Sequence, residues 1–290
     1  MTIRQLLNYS NQLALDHNKE ERAGYNLLEN LLQKQPYQLY AMMDEPVDQE
    51  IVTQFKDLLN QYVQGKPLQH ILGYETFFGR DFKVNEDVLI PRYETEELVE
   101  NILYNIDDYF NDYDTILVAD IGCGSGAIAC TLDLEEPKTK VYASDISEKA
   151  VAVAQTNNDT FKANVTFYVG DLLQPLIENG IKVDIFVSNP PYIPLEQEVE
   201  ESVKAYEPNL ALFGGNDGLY FYRKIFQDLD KVLNDKAMCA FEFGFDQKEL
   251  MEQALQEYLP NYHYEIKKDI NGKNRMLFVY KNIQLNERVD

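Results

Sequence analysis

A chain of 290 residues with 45% apolar side chains is long enough for two domains and apolar enough for a real core. Its formal net charge is −23, which counts against a direct nucleic-acid partner, since a duplex is a dense line of phosphates, and is compatible with a basic protein partner. No stretch approaches the ~20 apolar residues that span a bilayer, and Met1-Thr2-Ile3-Arg4-Gln5 opens neither a signal-peptide core nor an Arg-rich transit pattern, so a cytoplasmic protein without a membrane partner is expected.

Residues 2–66 read as helices. Ile3, Leu6, Leu7 and Leu13 fall at helical spacing, as do Leu27, Leu28, Leu31 and Leu32. A further helix fits Asp48 to Gln64, with Ile51, Val52, Phe55, Leu58, Leu59 and Tyr62 as its apolar face and Gly65-Lys66-Pro67 as its end. Between about 71 and 92 the pattern changes. Glu75 to Val84 alternates around a Gly turn at Gly79, as a β-hairpin does. Pro91-Arg92 then leads into a helix from about Glu94 to Tyr109, with Leu98, Ile102 and Ile106 on one side.

From Thr115 onward strands and helices alternate. The strands are expected at 116–121, 141–144, 165–169, 185–188, 238–243, 264–268 and 276–280. Helical stretches separate the first six, which indicates a parallel sheet covered on both faces. The last two are joined by a short link containing Asn271-Gly272, so a terminal hairpin places one antiparallel strand in the sheet. Cys123, Cys130 and Cys239 form no disulfide framework, and His17, His70 and His263 share no ligand spacing with them. A reduced protein without a metal site is expected.

Two loops carry the chemistry. After the first strand of the alternating region comes Asp120-Ile121-Gly122-Cys123-Gly124-Ser125-Gly126, opening a helix. Glycines there permit a tight turn and a close backbone approach to a ligand. A dinucleotide loop spaces them G-x-G-x-x-G. Here the spacing is G-x-G-x-G, with an acid two residues before the first glycine, which would attract an amine and repel a pyrophosphate. S-adenosylmethionine has an amine and no phosphate. Asp145 ends the next strand, as expected for a ribose diol, and Gly170-Asp171 ends the third, where an adenine could be read. Any one of these acids could be only a helix N-cap; three at successive strand ends after a glycine loop form a more specific pattern.

The second loop is Asn189-Pro190-Pro191-Tyr192, after the fourth strand. Asn and Pro favour turns, so the tetrapeptide also makes an ordinary loop. Its composition nevertheless suits methylation of a planar nitrogen whose lone pair is delocalised. Such a nitrogen needs its N–H bonds fixed by carbonyl-type acceptors and a flat surface against it, more than it needs a base. Asn189 supplies a side-chain acceptor, Pro190 and Pro191 restrict the backbone so that a carbonyl can face a substrate, and Tyr192 supplies a flat face.

Together with these motifs, Pro67 to Gly73, Phe77-Phe78-Gly79, Leu89-Ile90-Pro91-Arg92-Tyr93-Glu94-Thr95-Glu96, Glu207-Pro208-Asn209-Leu210-Ala211-Leu212-Phe213-Gly214-Gly215 and Glu242-Phe243-Gly244 give the chain a close resemblance, over nearly its whole length, to the peptide chain release factor glutamine-N5 methyltransferases of the class I S-adenosylmethionine-dependent superfamily. The resemblance implies an α/β fold, a doubly wound, mostly parallel sheet with a small N-terminal helical domain. Its divisions would be residues 1–70 for substrate recognition, 71–92 as a β-hairpin linker and 93–290 as the methyltransferase domain. It implies S-adenosyl-L-methionine as cofactor, held by Asp120, Gly122, Cys123, Gly124, Ser125, Gly126, Asp145, Asp171, Leu172 and Asn189. It implies class 1 release factors as protein substrate, with the glutamine amide of their Gly-Gly-Gln tripeptide received by Asn189, Pro190, Pro191 and Tyr192. Leu172 stands where relatives can have an aromatic residue, so adenine stacking is expected to be weaker there. The runner-up is an adenine-N6 methyltransferase acting on a flipped-out base, which meets the same chemical problem with the same tetrapeptide; the acidic charge counts against it. A third possibility, a binding protein that has lost catalysis, would be signalled by loss of Asn189 or of the glycine loop, and both are present.

Overall fold

The computed structural model describes residues 1–285, which divide into two compact units: residues 1–74 with 199–206, and residues 75–198 with those from 207 onward.

The first unit is helical. Helices run Ile3–Asp16, Ala23–Leu32, Pro36–Ala41, Gln49–Val63 and Leu68–Leu72, joined by Glu201–Tyr206 from the later segment. Thr2 begins the first with a capping box: its hydroxyl accepts the Gln5 N–H at 3.3 Å and the Gln5 side chain accepts the Thr2 N–H at 3.0 Å. Asp48 caps the fourth by accepting the Glu50 N–H at 2.8 Å. The expected apolar faces meet in one core, in which Ile3, Leu6, Leu27, Leu28, Phe55 and Leu59 are buried. Gly24 lies so close to Ser10 that a Cβ there would come within 2.1 Å of the hydroxyl oxygen. A glycine at that point lets the first two helices approach. The short helices Pro36–Ala41 and Leu68–Leu72 have too few turns to show a period in the sequence.

The second unit begins with the hairpin of β1 (Tyr74–Phe77) and β2 (Arg80–Lys83). Its two-residue turn, Phe78-Gly79, has φ of +51° and +74°. Positive φ at both positions is what a type I′ hairpin requires. Phe78 adopts it against its preference, with its N–H held by the Glu96 carboxylate at 2.9 Å. Phe77 and Phe82 go into the core.

The main sheet contains β3 (Ile116–Ile121), β4 (Thr139–Asp145), β5 (Thr166–Val169), β6 (Val183–Ser188), β7 (Leu233–Glu242), β8 (His263–Lys268) and β9 (Asn274–Lys281). Their order is β5-β4-β3-β6-β7-β9-β8. β9 runs antiparallel to both its neighbours and the remaining strands are parallel, as the sequence predicts. Side chains alternate between two cores. Val118, Ile185, Val187, Met238, Ala240 and Phe278 face one, and Ala119, Ile121, Phe186, Cys239, Phe241 and Leu277 the other. A fully buried side chain of this size contributes about 1.5–3 kcal/mol, so a sheet packed on both faces is a rigid support. The chain winds outward from β3 to β5, then returns to place β6 on the other side of β3. That reversal opens a crevice at the carboxyl ends of β3 and β6.

Candidate functional site

The register of the sheet brings the two loops together. Ile121, the last residue of β3, is paired with Ser144 of β4 and with Ser188 of β6. The Ser188 hydroxyl donates to the Ile121 carbonyl at 2.6 Å. The glycine loop and Asn189 therefore leave the sheet side by side. Asp145 is level with Val169 at the end of β5, and its carbonyl accepts the Gly170 N–H at 3.0 Å, which brings Asp171 and Leu172 to the same edge. Leu172 has φ of +48°, a conformation a branched apolar residue rarely adopts.

Gly122, Gly124 and Gly126 all have positive φ, but they differ in surroundings. Among the described residues, a Cβ on Gly122 or Gly124 would meet nothing within 4 Å, so both expose bare backbone to the crevice. A Cβ on Gly126 would come 3.0 Å from that of Ala154, so the third glycine serves the packing of helix Ala127–Glu135 on helix Glu148–Phe161.

Asp145 is braced by backbone amides. Its carboxylate accepts N–H bonds from Gly124 at 3.0 Å and Ser147 at 2.9 Å. Burial pushes its carboxyl up from the ordinary range, and those amide bonds oppose the shift. Asp120 is fully buried. One oxygen accepts the Ala129 N–H at 3.1 Å, and the other has no hydrogen-bond partner among the described residues. Burial pushes this carboxyl up to about 7.

One cleft takes in Gly122, Gly124, Asp145, Asp171, Leu172, Asn189, Pro190 and Pro191. Asp120, Cys123, Ser125, Gly126 and Tyr192 do not line it. Cys123 and Ser125 point inward and are buried, and burial pushes the Cys123 thiol up. Tyr192 donates its hydroxyl to Glu242 at 3.4 Å, and its carbonyl accepts from Gln247 at 2.7 Å. Burial, followed by the charge of Glu242, pushes its phenol well above the ordinary range. The Asn189 amide donates to the Thr95 hydroxyl at 3.3 Å, and Thr95 donates to Glu242 at 2.6 Å.

Residues 5–73 match the PrmC N-terminal domain and residues 103–205 the methyltransferase small domain. The chain is 44% identical to the release factor glutamine methyltransferase of Bacillus anthracis, over 96% of this chain and 99% of that one. It is 40% identical to that of Bacillus subtilis, over 97% and 99% respectively. The chain belongs to the release factor glutamine methyltransferase family. A solved methyltransferase from Pyrococcus furiosus aligns with a TM-score of 0.53 at 17% identity, covering 79% of this chain and all of that one, a likeness that concerns the fold alone. The sheet is thus that of an α/β methyltransferase with a helical N-terminal region, as expected.

Sequence reading left several neighbours of the site without a role. Val88, Leu89, Pro208, Leu210, Ala211 and Phe221 also line the cleft. Glu207 is buried and ties that wall together, accepting from the Ile90 N–H at 3.1 Å and from Arg92 at 2.5 Å. Thr95 and Glu242 stand behind Asn189. Apart from Val88 and Phe221, these residues fall in the segments that carry the family resemblance, Leu89 to Glu96, Glu207 to Gly215 and Glu242 to Gly244, which was the available signal.

Proposed function

We propose that this chain transfers a methyl group from S-adenosylmethionine to the side-chain amide nitrogen of the glutamine in the Gly-Gly-Gln tripeptide of class 1 release factors. The observation that carries the reading is the pairing of Ile121 with Ser188, which sets an open glycine loop directly beside Asn189.

The residues at the strand ends suit the cofactor. Gly122 and Gly124 offer backbone without side chains. Asp145 presents a carboxylate whose orientation is already fixed by two amides, as a ribose diol requires. Leu172 and Phe221 would give the adenine apolar walls, with Asp171 exposed at the rim. Asp120 has a buried oxygen under the loop that is unpartnered among the described residues. It would act on the cofactor's positive charge through its field, while Cys123, Ser125 and Gly126 shape the loop from behind.

When bound, S-adenosylmethionine supplies an electrophilic methyl group on a sulfonium sulfur. Asn189 would accept one N–H of the glutamine amide through its side-chain oxygen, and the Pro190 carbonyl the other. With both N–H bonds held, the nitrogen lone pair is directed at the methyl carbon. Tyr192 and Pro191 would fix the shape of the loop that does this. The proton lost from nitrogen passes to solvent and the product is a neutral secondary amide. The helical unit would supply the surface that recognises an intact release factor, since a tripeptide buries far less than the roughly 1,200–2,000 Å² of a specific protein contact. Mass spectrometry tests the reading: a release factor incubated with this protein and cofactor should gain one methyl on its Gly-Gly-Gln peptide. An unmodified peptide would overturn it.

A further inference from the structure

Resting on that reading of Asn189, we propose that Thr95 and Glu242 are positioning residues, a directed hydrogen-bond chain that sets which end of the Asn189 amide faces the cleft. The argument is one of proton counting. Glu242 is buried at the end of β7. As a carboxylate it can only accept hydrogen bonds. Thr95 has a single hydroxyl proton, and that proton goes to Glu242 Oε2 across 2.6 Å. Toward Asn189 the hydroxyl then offers only lone pairs. The Asn189 group 3.3 Å away must therefore be the NH₂ end, which leaves Oδ1 as the end available to a substrate N–H. The other oxygen of the same carboxylate accepts the Tyr192 hydroxyl at 3.4 Å, and the Glu242 carbonyl accepts the Tyr222 hydroxyl at 2.5 Å. One buried acid thus holds both ends of the Asn189 to Tyr192 loop.

An amide is nearly the same shape in either flip, so packing alone discriminates poorly between them. Methylation does discriminate: an NH₂ group facing the substrate NH₂ offers donor against donor. Reversing the chain would present the wrong end. Burial pushes the Glu242 carboxyl up from its ordinary range, and Glu94 adds to that, while the Thr95 hydroxyl, Arg275 and the Tyr192 hydroxyl oppose it; the two hydroxyls, one on each carboxylate oxygen, make Glu242 an acceptor on both sides.

Thr95→Val and Thr95→Ser separate direction from bulk. Valine keeps the shape and removes the hydroxyl, and serine keeps the hydroxyl. With intact release factor and saturating cofactor, Thr95→Val should lower kcat on the order of 10²-fold, the scale of a misplaced reacting group. Its KM and cofactor affinity should change little. Thr95→Ser should recover most of the loss. Glu242→Gln can donate to Thr95 and so reverse the chain; it should lower kcat, and the double variant with Thr95→Val should be no worse than the weaker single variant, because both break one unit. Side-chain amide NMR gives a readout without turnover. The Asn189 NH₂ signal, identified by its loss in Asn189→Ala, should move in Thr95→Val and hold its place in Thr95→Ser. Equal kcat loss in Val and Ser, a Val variant at parental kcat, or an unmoved amide signal overturns the proposal. Absence of methylation by the parent protein would instead defeat the reaction assignment, and the NMR arm would still decide the chain.

Discussion

Asp120→Asn probes the least expected electrostatic feature of the site. Burial raises the Asp120 carboxyl from an ordinary 3.8 to about 7, with the charge of Asp145 adding to the effect and the bond from Ala129 opposing it. The folded state therefore prefers the protonated acid. Its contribution to stability is intact below pH 3.8 and is lost as pH rises through about 7. A displacement of that size corresponds to about 4 kcal/mol, at 1.36 kcal/mol for each pH unit. Asparagine cannot titrate, and whatever constant cost its buried NH₂ brings is the same at every pH. The unfolding free energy of the variant minus that of the parent should thus rise by about 4 kcal/mol between pH 4 and pH 8, measured by urea denaturation without cofactor. The ionised form is also the one a cationic ligand favours. Parental affinity for S-adenosylmethionine should therefore strengthen through pH 7 relative to the variant, and titration of the cofactor's own amine, common to both proteins, cancels in the comparison. Parallel stability curves for the two proteins would refute the reasoning, for they would mean that Asp120 titrates alike in the folded and unfolded chain.

Other expectations follow from the same cleft. Asp145→Ala should weaken cofactor binding by about 1.5–3 kcal/mol, the scale of charge-assisted hydrogen bonds, in a protein that remains folded; unchanged affinity by calorimetry would remove the ribose assignment. Asn189→Ala should lower kcat on the order of 10²–10³-fold, as loss of a transition-state hydrogen bond does, while cofactor affinity by calorimetry stays near parental; near-parental turnover would make the tetrapeptide an ordinary loop. Deleting residues 1–70 should leave cofactor affinity within a few-fold and raise KM for an intact release factor, since uniform binding energy is lost. A folded fragment that methylates the release factor as well as the full chain does would sink the recognition role of the helical unit.

The fold was legible in the sequence because its signals are local. Alternating apolar runs marked all seven strands of the main sheet, and the short link around Gly272 marked the antiparallel one. The hairpin turn was legible from Gly79, although the positive φ of Phe78 was not: that conformation is imposed by the flanking strands and the bond to Glu96, eighteen residues away. Strand ends were misjudged where polar residues extend a strand. β7 begins at Leu233, five residues before the apolar run starting at Met238, because Asn234, Asp235 and Lys236 occupy its less covered end.

Site residues divide along the same line. That the glycine loop, Asp145 and Asn189 share one cleft was legible from sequence because each sits at or immediately after the end of a strand, and in a parallel sheet the strand ends share one edge. Burial could not be named that way. Asp120 is also next to the loop, yet its side chain turns under the sheet edge and out of the cleft, which depends on the alternation of β3 and on where Ala129 falls. Thr95 and Glu242 are harder still, being 147 residues apart in the chain. Thr95 lies on the first turn of helix Tyr93–Tyr109 and Glu242 on the last residue of β7. They meet behind Asn189 only because β7 is the neighbour of β6, so that Phe241 is level with Ser188 and the next residue on each strand reaches the same end of the sheet. A loop that must present one face of an amide needs support from a strand already in place. The parallel register supplies that support at the one edge where the glycine loop also opens, so the proposed cofactor loop and the proposed support of Asn189 rest on the same sheet.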